Sequence, residues 1–122
     1  MKYPKEEHRK KAVAIENFVS TLPGDTTGVE WAITACFYAA LHYVSAYFAA
    51  SHLYHASHGT RLRDIQKHHY LSSIYDDYQH LYNISRDARY ECMHLKPSDL
   101  EFAKVKLGAV KKAICPHLER GK

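Results

Sequence analysis

Cysteine is scarce in this chain, and its three copies, Cys36, Cys92 and Cys115, lie far apart. An odd number cannot all pair within one chain, and the spacing offers no Cys-x-x-Cys metal knuckle. Reduced thiols in a cytoplasmic setting are therefore expected. No stretch approaches the roughly 20 apolar residues that span a bilayer, and the charged Met1 to Lys11 segment lacks the apolar run of a signal peptide. Neither membrane insertion nor export is expected. A glycine-rich phosphate loop, a Ser-His-Asp order and carboxylates paired for glycosidic chemistry are also missing, which sets those enzyme classes aside. Charge of one sign is only mildly in excess, at +4 with neutral histidines, so RNA, DNA or acidic proteins are all admissible partners.

What remains is enough for one folded domain: 122 residues, 46% hydrophobic and 25% charged. Ten tyrosines and ten histidines stand out, because each has an apolar body and a hydrogen-bonding tip. They suit a polar-lined groove or an interface.

The few prolines and glycines fall mostly between long segments of helical period, the punctuation of a helix bundle. A first helix is expected from about Glu6 to Leu22, with Ala12, Ile15, Phe18, Val19 and Leu22 as its buried stripe. Pro23-Gly24-Asp25 breaks it, and Thr27-Gly28-Val29-Glu30 reads as a capping box opening a second helix. That helix runs through Trp31, Cys36, Phe37, Ala40, Leu41, Val44 and Phe48 to about Ala50, and its small residues mark it as the central one. After a histidine-rich stretch from Ser51 to Gly59, Thr60 caps a short helix from Arg61 to about His69. A long segment from about Leu71 to Cys92 turns Ile74, Tyr78, Leu81, Tyr82, Ser85 and Ala88 inward. Ser98-Asp99-Leu100-Glu101 opens the last helix, with Phe102, Val105, Leu107, Val110 and Ile114 buried and Pro116 as its end. The class expected is all-α: an up-and-down antiparallel bundle of four long helices plus one short helix.

Three constellations could carry chemistry. Arg86, Arg89 and Tyr90 lie three and four residues apart near one helical face, where two guanidiniums could clasp a phosphate; the plainer alternative pairs Arg86 with Asp87 or Asp77. Arg89 is followed at five residues by His94, near the end of the same helix. An arginine holding a scissile phosphate and a histidine able to exchange a proton would support metal-independent RNA cleavage by the ribose 2′-hydroxyl. His52, His55 and His58, with Arg61, His68 and His69 nearby, form a nitrogen-rich loop. It has only Asp64 as a neighbouring carboxylate and no nearby cysteine, so no metal site and no cofactor are assigned. His42, four residues after Tyr38, is expected to face the fourth helix, as a hydrogen-bonded core histidine or a brace beside Arg86 and Tyr90.

Trp31 to His42, with Phe37-Tyr38-Ala39-Ala40-Leu41-His42 at its heart, together with His55 to Arg61 and Ser85-Arg86-Asp87-Ala88-Arg89-Tyr90, resembles an uncharacterised bacterial branch of the HEPN superfamily. The resemblance spans about Trp31 to Phe102. It implies an all-helical, commonly dimeric domain, and membership of a superfamily that includes ribonucleases of toxin–antitoxin systems, phage defence and RNA processing. A homodimer, RNA, and a cognate antitoxin or nucleotidyltransferase partner are the corresponding expectations. Active members carry an arginine, a polar residue, several further residues and a histidine. In this chain Arg86 has Asp87 after it but no histidine before His94, while Arg89 to His94 has the spacing with Tyr90 in the polar position. On this reading Arg89 and His94 are the catalytic candidates, with Arg86, Tyr90, His42, His58 and Arg61 around an RNA groove. The rival reading is a non-catalytic interaction or antitoxin-like module that binds a protein through Tyr78 and Tyr82.

Overall fold

The computed structural model describes residues 2–119. It is all-α, with no strand among the described residues. Four long helices, α1 (Lys5–Val19), α2 (Thr26–Ala49), α4 (Tyr75–Tyr90) and α5 (Pro97–Leu118), are accompanied by the short α3 (His58–Lys67) and a 3₁₀ turn (Leu71–Ile74). Short connections join α1 to α2 and α4 to α5, α3 and the 3₁₀ turn lie in the longer connection from α2 to α4, and α1, α4 and α5 all pack on α2, as in a helix bundle.

α2 takes the centre because its sequence lets neighbours approach from several sides. Ala32, Ala35, Ala39, Ala40 and Ala46 keep its girth small, and Ile33, Phe37, Val44 and Phe48 fill the space between helices. Contrary to the expectation that no stretch approaches a bilayer span, its length and a mean hydropathy of 1.3 over its best 18 residues would suit one. In the bundle 72% of that window is buried, so its apolarity serves the core.

The helix boundaries depart from the sequence expectations for local reasons. Asp25, not Thr27, caps α2: its Oδ1 accepts from Gly28 N at 2.8 Å. Ser57 rather than Thr60 caps α3, accepting from Thr60 N at 3.2 Å, so the helix starts three residues early and includes His58. The long segment after Leu71 opens as a 3₁₀ turn and becomes α4 at Tyr75, ending at Tyr90. At α5, Asp99 Oδ2 accepts from Lys96 N at 2.7 Å, which places the start at Pro97, while Glu101 pairs with Lys104. Pro116 does not end α5. It sits on the exposed side within the last turn, and the helix continues to Leu118.

Two buried stripes are also rotated. In α5, Phe102 and Val105 are exposed, and the inward row is Ala103, Leu107, Val110, Ile114 and Leu118. In α1, Phe18 points outward and the helix ends three residues before Leu22. Its inward face around Ala12 is partly polar. Lys5 Nζ donates to Leu118 O at 3.0 Å, His8 meets His42, and Glu16 accepts from the Tyr43 hydroxyl and from Lys111 Nζ at 2.8 Å. Polar residues of α1 are thus drawn half-buried against α2 and α5 through specific partners, which a hydrophobic period cannot register.

Candidate nucleic-acid interface

α4 turns Tyr78, Leu81 and Ser85 into the core and leaves Arg89, one turn after Ser85, at the edge of a groove against α2. Arg89 Nη1 donates to Ser85 Oγ at 3.1 Å, and Ser85 Oγ in turn donates to Tyr82 O at 2.8 Å. The guanidinium carbon lies 5.8 Å from the Phe37 ring centre, 5.5 Å from Tyr38 and 5.3 Å from Tyr90. These rings hold the cation in place by face attraction, at about 0.5–2 kcal/mol each. Arg89 Nε is buried and has no hydrogen-bond partner. The groove has a volume of about 370 Å³ and is lined by Arg89 and Tyr90 with Trp31, Thr34, Glu30 and Ala88. Among the described residues, no carboxylate lies within ion-pair distance of Arg89, Arg86 or Arg61.

The groove has an aromatic rim. Trp31 is 60% exposed and Tyr90 71%. Ile33, Phe37 and their neighbours fill the core, leaving a stripe of exposed Trp31 and Tyr38 with Thr34, itself buried, between them. That stripe is legible in their three- and four-residue spacing once the opposite face is known to be buried.

Behind Arg89 lies His58, whose ring is 5.4 Å from Phe37 and 5.1 Å from Tyr82. His58 Nδ1 is 3.2 Å from Arg61 Nη1. An arginine can only donate, so His58 Nδ1 accepts and its proton sits on Nε2. Burial, reinforced by the Arg61 and Arg89 charges, lowers the His58 pKa and favours that neutral ring. Arg61 is itself buried, at 7% exposure, and its Nε has no partner.

The remaining candidates separate. Arg86 is exposed, with its guanidinium 5.7 Å from the Tyr82 ring centre rather than on Asp87 or Asp77; Asp77 pairs with Lys106 at 3.3 Å. His94 lies beyond α4 in the 91–96 connection, exposed, with no hydrogen bond to Arg89. His42 faces α1, not α4: its Nδ1 lies 3.1 Å from Nδ1 of His8, so it does not brace Arg86 or Tyr90. Tyr78 is fully buried, which removes it as a protein-docking residue; Tyr82 is half-buried.

The histidine-rich loop does not converge on one point. His55 Nε2 bonds Asp64 Oδ2 at 2.7 Å, His68 Nδ1 accepts from Tyr70 N and Leu71 N at 3.0 Å, and His52 is exposed with a left-handed φ of 59°. Among the described residues no three metal-ligating side chains group together.

Compared with known proteins, the chain matches no family model, no curated protein and no solved structure.

Proposed function

We propose that this chain is an HEPN-like domain that binds RNA along the groove between α2 and α4. The observation that carries the reading is Arg89: a half-buried guanidinium without a carboxylate partner, opening between the exposed rings of Trp31 and Tyr90. Cation and exposed aromatic rings side by side meet the two needs of an unpaired strand, a partner for the phosphate and a platform for the base, with stacking worth about 1–3 kcal/mol per base. Exposed Arg86, one turn before Tyr90, extends the positive edge.

The finer reading is metal-independent cleavage through the ribose 2′-hydroxyl, with Arg89 stabilising the phosphate. His94 has the sequence spacing and is the candidate for proton exchange, while His58 is the imidazole packed behind Arg89, and in its neutral form it offers Nε2–H as a hydrogen-bond donor to a phosphate oxygen. The discriminating measurement is cleavage of mixed transfer and messenger RNA in chelator by wild type, Arg89→Ala, His58→Ala and His94→Ala. Loss in Arg89→Ala and in one histidine variant identifies the pair. With no cleavage by the wild type, the binding reading stands alone and is judged by affinity: Arg89→Ala should weaken single-stranded RNA binding about tenfold and lower its salt dependence, with helicity unchanged. Equal affinity in wild type, Arg86→Ala and Arg89→Ala would overturn the RNA reading.

The second reading is an antitoxin-like interaction module, and exposed Trp31, Tyr90 and Met93 favour it, since aromatic residues and methionine are enriched at protein interfaces. The same surface suits the homodimer, or an antitoxin or nucleotidyltransferase partner, that goes with an HEPN-like domain. Light scattering of wild type and Trp31→Ala tests the homodimer.

A further inference from the structure

On the far side of Arg61 from the groove, α1, α2, α3 and the 50–57 connection enclose a cavity of about 110 Å³ lined by His8, Ser45, Tyr54, His55 and Arg61. Its charge is unbalanced. Arg61 cannot lose its proton near neutral pH, is more than nine-tenths buried, and among the described residues meets only neutral groups, the His58 imidazole at 3.2 Å and the Tyr78 hydroxyl, with Nε left without a hydrogen bond. Lys2 Nζ lies 5.6 Å from the ring centre of Tyr54, adding a second cation at the rim. Lys11 lies beside His8 and His42 in the adjoining cavity.

The nearby carboxylates do not neutralise this charge. Asp64 is taken up by His55 at 2.7 Å and faces Arg63 at 3.8 Å; Glu6 pairs with Arg9 at 3.1 Å; Glu7 lines the adjoining cavity and makes no ion pair with Arg61. The Tyr78 hydroxyl, wholly buried beside Arg61, brings no negative charge either, because burial raises its pKa and keeps it protonated. A buried cation facing hydroxyls and imidazoles is costly unless an anion completes it.

We propose that this cavity is a binding site for a small tetrahedral oxyanion, held by Arg61 with donors from His8, Ser45 and Tyr54. An oxyanion gives the guanidinium fork the charge-assisted partner it lacks, and the hydroxyls and imidazole offer single donors around it. The anion is either free in solution or a phosphate of a nucleic-acid backbone; the chemistry at Arg61 is the same for both.

Sulfate is the probe, titrated to about 10 mM against chloride at equal ionic strength, where general salt effects on stability are small. The readout is the ¹⁵N-edited resonance of the Arg61 Nε–H, with the backbone amides of Ser45 and Tyr54. Saturable shifts are expected with sulfate and not with chloride. Arg61→Lys, which keeps the charge but loses the fork, should weaken binding about tenfold, and His8→Ala, a change on a half-buried helix face, several-fold. His8→Ala and Tyr54→Phe keep the test open if Arg61→Lys does not fold.

A single-stranded RNA oligonucleotide is then added to the sulfate-loaded protein. Displacement of sulfate assigns the site to a backbone phosphate, whereas retention while Arg89 resonances move assigns it to a free anion. Arg89→Ala should leave sulfate binding intact, so failure of the RNA reading does not carry this one with it. Absence of a saturable shift in the wild type, or equal binding in Arg61→Lys, His8→Ala and Tyr54→Phe, overturns the proposal.

Discussion

Most ion-paired cations of this chain hold their charge at the surface, where pairing contributes little. Arg9, Lys104, Lys106 and Lys111 each meet a carboxylate, and such pairs are worth about 0–1 kcal/mol. Arg61 and Arg89 are different: one is buried and the other half-buried, and neither has a carboxylate within reach. For Arg89 the orienting group is Ser85, whose hydroxyl accepts from Nη1 while bonding back to Tyr82 O. Ser85→Ala should therefore cost about 1 kcal/mol in stability and lower RNA affinity a few-fold, leaving the contribution of Arg86 in place. Urea unfolding and a filter-binding titration check the two halves separately, and unchanged affinity would show that the rings alone hold Arg89. The Arg-x-x-Arg-Tyr spacing is legible in the sequence. That one arginine is exposed over Tyr82 and the other packed among Phe37, Tyr38 and Tyr90 depends on α2 standing opposite.

The helices owe their boundaries to short polar contacts that compete within a few residues of one another. Thr27 and Glu30 form a capping pattern, yet Asp25 takes the role by accepting from Gly28 N, which starts α2 one residue after itself. Gly28 is needed there for a second reason. A Cβ at this position would lie 1.9 Å from the Pro23 carbonyl oxygen, so Gly28→Ala must displace the chain entering α2. It should destabilise the fold by about 1–3 kcal/mol. Gly108, midway along α5 and exposed, offers the contrast, because nothing lies within 4 Å of an added Cβ. Gly108→Ala should stabilise by about 0.5–1 kcal/mol, since alanine loses less backbone freedom in a helix. Thermal unfolding of the two variants should move in opposite directions.

Across the whole molecule, folding holds several imidazoles neutral. Burial drives the His42 pKa down to about 4, helped by His8, Lys11 and Arg61, and burial is also the leading cause of the lowered values at His8, His58 and His68. The geometry agrees: in the His8–His42 contact one Nδ1 must accept, and His68 Nδ1 accepts two backbone amides. The unfolded chain binds protons at these sites near the ordinary value of about 6.5, so below that pH it holds more protons than the folded chain. Stability is therefore complete above about pH 6.5 and falls as the pH drops toward 4. Urea unfolding at pH 7.5, 6 and 5 should give steadily lower midpoints, and His42→Gln should flatten part of the fall. A midpoint constant across that range would contradict the neutral His8–His42 contact.

By itself the sequence determined the all-α class, the approximate helix spans and the central place of α2, because helical period and small-residue content are local properties of a chain. Only the tertiary structure decided which way each stripe faces and which polar groups meet. Phe18, Trp31, Phe102 and Val105 are apolar yet outward, because Ala12, Phe37, Ala103 and Leu107 already occupy the space between helices. His8 and His42 are 34 residues apart, Tyr43 and Glu16 are 27, and Lys111 and Glu16 are 95. No spacing rule links residues so distant; such pairs come together only when helices pack, because burying a polar group is tolerated where its partner is already waiting.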